Sequence, residues 1–81
     1  MKIAFADLDR DLQAEIDTQE GFEFYEIALE SGGDVHVAYH DELGRAGIVY
    51  VGSGSSGLTS WTDACSVEDA IQRWENDEMS N

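Results

Sequence analysis

The sequence predicts an α+β domain: a small antiparallel β-sheet of three to four strands, with an N-terminal and a C-terminal helix packed on one face. Three observations lead there. The chain has 81 residues, room for a single small domain over residues 1–81. Apolar residues recur at helical spacing near both ends and alternate with polar ones through the middle. Turn-forming segments separate the alternating runs, and the order helix, strands, helix suits a two-layer α+β packing.

From Asp7 the chain reads D-L-D-R-D-L-Q-A-E-I-D-T-Q-E-G. Leu8, Leu12 and Ile16 lie four apart with Phe5 one turn earlier, the pattern of an amphipathic helix. Asp7 or Asp9 suits its cap, acids in the first turn suit the helix dipole, and Gly21 suits its stop. Phe22 to Glu30 follows, with Tyr25, Ile27 and Leu29 alternating against Glu26, Ala28 and Glu30 in a half-buried strand. Phe22 and Phe24 have the opposite parity, so a bulge is expected near Phe24. Ser31-Gly32-Gly33-Asp34 is turn chemistry, after which Val35, Val37 and Tyr39 alternate with His36, Ala38 and His40. Asp41 to Arg45 makes a second turn, Ala46 to Val51 a third strand, Gly52 to Gly57 a loop, and Leu58 to Thr62 a fourth strand. Ser66-Val67-Glu68-Asp69 resembles a capping box with Asp69 in place of the usual Glu. Val67, Ala70, Ile71 and Trp74 then fall on one face of a helix over Ser66 to Glu78.

Composition excludes several classes of function. Eighteen Asp and Glu against four Lys and Arg give a net charge of −14, so the chain has no electrostatic means of holding nucleic acid directly. A hydrophobic content of 42% and eight aromatic residues favour a folded core over disorder. No apolar run approaches the roughly 18 residues of a membrane span, and Met1 to Ala6 is too short for a signal peptide. The single Cys65 has no partner for an internal disulfide. The expectation is a cytoplasmic protein without a membrane association, a monomer or weak dimer.

Four motifs suggest chemistry and then fail its requirements. Gly52-Ser53-Gly54-Ser55-Ser56-Gly57 spells G-x-G-x-x-G, but a dinucleotide site needs a helix opening at the third Gly, and Leu58 to Thr62 reads as extended. Asp7-Leu8-Asp9-Arg10-Asp11 opens like a calcium loop, yet Leu12 stands where Gly is required and Thr18 where the bidentate Glu belongs. His36 and His40 share a strand face about 13 Å apart, at about 3.3 Å per residue, too far to bind one metal together. Cys65 precedes a helix, but acids surround it and nothing in the sequence places either His beside it as a base. No catalytic residue, metal site or cofactor is expected, and the chain is not read as an enzyme.

The charge is uneven. Asp7, Asp9, Asp11, Glu15, Asp17, Glu20, Glu23, Glu26 and Glu30 stand against Arg10 alone, a net of −8, whereas Ser31 to Thr62 nets −2 and Asp63 to Asn81 nets −5. On one continuous helix Asp7, Asp11 and Glu15 would advance about 6 Å per step, near the spacing of phosphates along a DNA strand. These nine acids form the expected partner-binding pole. In size and charge, though in no shared motif, the chain resembles the small phage-encoded anti-CRISPR proteins and DNA mimics. That resemblance implies an inhibitor that binds a basic nucleic-acid-binding surface, such as that of a Cas effector subunit, and acts in the host bacterial cytoplasm. The alternative is a small acidic interaction or regulatory domain, or a halophile-adapted protein, with a basic protein partner.

Self-repulsion of the carboxylates opposes compaction and is screened by salt. A thermal melt in dilute buffer should show a folded chain whose Tm rises with moderate salt. A chain unfolded below about 1 M salt would instead mark salt adaptation.

Overall fold

The computed structural model describes residues 1–51 and 59–76. The elements are β1 (Lys2–Ile3), a 3-10 turn (Phe5–Asp7), α1 (Arg10–Ala14), β2 (Phe22–Ala28), β3 (Asp34–His40), β4 (Arg45–Tyr50), β5 (Ser60–Asp63) and α2 (Val67–Glu75). The strands form one antiparallel sheet in chain order, β1-β2-β3-β4-β5. The α+β class stands, with five strands rather than three to four. The added strand β1 has two residues, pairing Lys2 with Tyr25 and Ile3 with Phe24. So short a run has no alternation to read.

The helices lie on opposite faces of the sheet, not on one. Val35, Val37, Tyr39, Ala46 and Ile48 pack with Ala64 and Ala70 on the α2 side. Phe24, Ala38 and Val49 pack with Leu8 and Leu12 on the α1 side. Residues Val35 to Tyr39 are therefore all buried, whichever way they point. This also removes the expected bulge. β2 and β3 pair without interruption from Phe22 with His40 to Ala28 with Asp34, because Phe22 and Phe24 serve the α1 core while Tyr25 and Ile27 serve the α2 core. A strand covered on both sides carries apolar residues at both parities.

The N-terminal helix is much shorter than its periodicity suggests. Leu8 is extended, at φ −73° and ψ 150°, and separates the 3-10 turn from a five-residue α1. Asp9 caps α1 by accepting the Asp11 N–H at 3.0 Å, while the Gln13 side-chain amide donates to the carbonyls of Phe5 at 2.7 Å and Leu8 at 2.8 Å. Helices this short are unstable alone. Burial of Leu8 and Leu12 against the sheet holds this one, and like charges four residues apart disfavour its extension. Gly21, at φ +85°, leads into β2 and ends no helix.

The central hairpin forms as expected. Its turn closes through Leu29 N–H to Gly33 carbonyl at 2.9 Å and Gly32 N–H to Leu29 carbonyl at 3.1 Å. Gly32 and Gly33 have φ of +102° and +80°, conformations that side chains oppose. In β4, Gly47 pairs with Trp61 of β5, and a Cβ at Gly47 would stand 2.9 Å from the indole ring. Trp61 thus lies over the strand where a side chain is missing, an aromatic cover for a sheet glycine.

α2 is capped at Ser66, whose Oγ accepts the Asp69 N–H at 3.0 Å. The Asp69 carboxylate accepts from the Cys65 N–H at 3.2 Å and from Arg73 Nε at 3.1 Å, reaching one residue further back than a capping box does. Val67, Ala70, Ile71 and Trp74 face the sheet as the spacing predicts, and Trp74 stacks on Tyr50 at 6.4 Å. The helix ends at Glu75; the expected extension to Glu78 runs outside the described residues. No helix among the described residues is long and apolar enough to cross a membrane.

The Cys65 N–H, and then Arg73, hold the Asp69 carboxyl below the usual carboxylate range. Its folded pKa is depressed, so its stabilisation is present above the unfolded pKa and lost as pH falls through the folded value. D69N should therefore lower Tm at pH 7, with the difference from wild type shrinking as pH falls below the ordinary carboxylate range. A difference constant with pH in thermal melts would remove this role.

Candidate docking surface

The nine acids of the expected pole do not share a helix face. Asp7 ends the 3-10 turn, Asp9 is the cap of α1, Asp11 lies within it, and Glu15 follows its last residue. Asp17 and Glu20 belong to the connection into β2, and Glu30 to the hairpin turn. Glu23 and Glu26 are on β2 with opposite parity, paired across to Tyr39 and His36 on opposite faces. The phosphate-like stepping of Asp7, Asp11 and Glu15 therefore has no continuous helix to carry it.

Topology assembles a different group. Because Phe22 pairs with His40, the start of β2 and the end of β3 meet at one end of the sheet. There Thr18, Glu20 and Gly21 face His40, Asp41 and Glu42 across a shallow cleft. Asp63 ends β5 at the same end, opposite Arg45. Counting along the sequence misses Asp41, Glu42 and Asp63, which sit outside the acidic block. The signal for Asp41 and Glu42 is in the hairpin register, which places the residue before Phe22 beside the residue after His40.

Some of the charge is compensated. Lys2 Nζ lies 3.2 Å from Glu23, and Arg73 3.1 Å from Asp69. Asp7, Asp11, Asp17, Glu20, Asp41, Glu42 and Asp63 have no cationic partner among the described residues. Arg45 faces the Trp61 ring instead of Asp63, its guanidinium carbon 5.2 Å from the ring centroid. Glu15 is engaged within the fold, where its carboxylate accepts the Trp61 indole N–H at 2.9 Å, and Phe22 meets the same ring edge-on at 6.2 Å. These residues, with Ile16, Asp17 and Thr18, line a cleft of ≈ 410 Å³ beside α1.

Both histidines have defined partners. His36 is buried, its Nδ1 accepts the Asp9 N–H at 2.9 Å, and its Nε2 faces Glu26 Oε2 at 3.1 Å. Since Nδ1 accepts, the ring proton sits on Nε2 and is donated to the carboxylate. His40 Nδ1 accepts the Leu43 N–H at 3.1 Å, and its ring meets Phe22 edge-on at 4.9 Å. Asp9, the middle acid of the calcium-like run, spends a carboxylate oxygen on the cap of α1. No group of three His, Cys, Asp or Glu suited to a metal ion occurs among the described residues. Cys65 is exposed ahead of α2, while the histidines point to the α1 side of the sheet, so neither is placed as its base. The G-x-G-x-x-G run lies outside the described residues.

No protein family, curated protein or solved structure matches the chain.

His36 joins α1 to the sheet through its two nitrogens. H36A leaves the Asp9 N–H without its acceptor and should cost about 1–3 kcal/mol in urea unfolding. H36N, whose side-chain oxygen can replace Nδ1, should recover part of that loss; equal stability of H36A and wild type would remove the role.

Proposed function

We propose that this chain is an acidic inhibitor that docks onto a basic nucleic-acid-binding surface of a bacterial defence complex, such as a Cas effector, and keeps DNA from it. The observation that carries the reading is the set of exposed carboxylates without cationic partners around α1 and the adjoining end of the sheet. Net charge of −14 favours a positively charged partner. The resemblance in size and charge to anti-CRISPR proteins supplies the kind of partner.

The mode of docking follows from the placement of the acids. Three segments, the α1 region, the connection into β2 and the β3–β4 turn, present charge from different directions, so the surface acts as a broad negative patch rather than a helical copy of one DNA strand. Leu43 stands 61% exposed between Glu42 and Gly44 in the β3–β4 turn, an apolar contact inside a charged surround. Opposed charge speeds encounter, and a few desolvated contacts set the lifetime of the complex.

The test is displacement of labelled DNA from a panel of purified Cas effector complexes, followed by fluorescence anisotropy. Wild-type protein should compete with DNA, and salt should weaken both interactions. Neutralising Asp11, Asp17, Glu20 and Glu42 as D11N, D17N, E20Q and E42Q should slow association by about tenfold or more at low salt without lowering Tm. DNA binding left intact across the panel, or a neutralised variant of wild-type strength, would overturn the reading.

A further inference from the structure

α2 roofs only part of its own face of the sheet. α2 has nine residues, about 13 Å of helix, whereas five strands span about 19 Å between the outer two. The helix lies against β4 and β5, which leaves the β2 side of that face only partly roofed. A cleft of ≈ 530 Å³ remains there, with Glu23, Tyr25, Tyr39, Asp41 and Cys65 among its lining residues.

Its chemistry is specific. Tyr39 is 9% exposed, and its hydroxyl has no hydrogen-bond partner among the described residues. Its oxygen is reached from the cleft rather than sealed in the core, which makes it an available acceptor and donor. The register sets Glu23 directly beside Tyr39. Glu23 already accepts from the Tyr25 hydroxyl at 3.2 Å and from Lys2 Nζ at 3.2 Å. The Lys2 side chain is 64% exposed and does not line the cleft, so the carboxylate has a resident cation that a better-placed one can replace. Asp41 supplies a second carboxylate, and no Lys or Arg lines the cleft. The start of α2 borders it without making an anion site, because the Cys65 and Asp69 N–H groups are taken by Asp69 and Ser66 side chains.

Burial, then the neighbouring Asp41, Cys65 and Asp69, push the Tyr39 phenol upward from its ordinary value. It stays protonated, and its oxygen keeps lone pairs to offer. Two carboxylates, a free phenol oxygen and flat aromatic walls are the recognition elements of a side-chain cation.

We propose that the Glu23–Tyr25–Tyr39–Asp41 cleft receives a basic side chain, lysine or arginine, from a protein partner. The inference rests on the reading of this chain as a ligand of basic surfaces, and gives that surface one definite socket.

The probe is butylguanidinium, with uncharged butylurea as its control, titrated into isotope-labelled protein and followed by NMR. Butylguanidinium should shift the amide signals of Glu23, Tyr39, Asp41 and Cys65 saturably, and butylurea should bind at least about tenfold more weakly. The pair E23Q and D41N should weaken butylguanidinium about tenfold or more. Y39F, which keeps the buried ring, should weaken it about threefold. Shifts spread equally over Asp7, Asp11 and Glu30, or titrations unchanged in these variants, would overturn the socket. The two proposals fail separately. Displacement of DNA from an effector by E23Q/D41N at wild-type strength would remove the socket's part in docking and keep the inhibitor. Saturable, variant-sensitive butylguanidinium binding with no effector inhibited would keep the socket and remove the inhibitor.

Discussion

A central strand buried on both sides sets the terms for everything else in this molecule. Val35 to Tyr39 lie under cover in both directions, so a chain of 81 residues must roof two faces of a five-stranded sheet with helices of five and nine residues. Neither helix would persist by itself in water. Each depends on apolar side chains pressed onto the sheet, Leu8 and Leu12 on one side, Ala70 and its neighbours on the other. His36 adds a polar link from the sheet to the short helix, while Gln13 and Asp69 brace the starts of the two helices locally.

Thin roofing explains where the clefts are. Trp61 spreads over Gly47, meets Arg45 and Phe22, and donates to Glu15, extending the α1 side beyond the helix itself. On the other side Tyr50 and Trp74 stack at one flank of α2, while Tyr25 and Tyr39 are left to close the remaining area with less help. Aromatic side chains do in this small domain what additional helix turns do in a larger one. Gaps between them set an apolar wall beside a polar group.

Local patterns were legible in the sequence, and long-range ones were not. The hairpin of β2 and β3, the strand β4 and the Ser66 cap rest on alternation, turn residues and capping chemistry within a few positions, and the structure keeps all of them. The N-terminal helix misled because Leu8, Leu12 and Ile16 all face the sheet, as a long helix would require, while an extended Leu8 breaks the backbone between two short turns. The opposite placement of the helices had a trace in the sequence. Phe22 and Phe24 on one parity, Tyr25 and Ile27 on the other, mark a strand with apolar contacts on both faces, and that double pattern needs no bulge. Asp41, Glu42 and Asp63 joined the acidic end through strand pairing, a relation no running count along the chain contains. The acids of Glu15 and Glu26 proved to be spoken for by Trp61 and His36.

The short outer strands have a consequence for how any partner engages this protein. β1 offers two residues and β5 four, the latter closing on Asp63. An incoming peptide that adds to a sheet needs a run of unpaired backbone groups as its template, and edges this brief give it little to hold. Recognition through main-chain pairing is thereby discouraged, along with self-assembly edge to edge. What the molecule presents at these margins is side chains rather than a long row of open backbone groups.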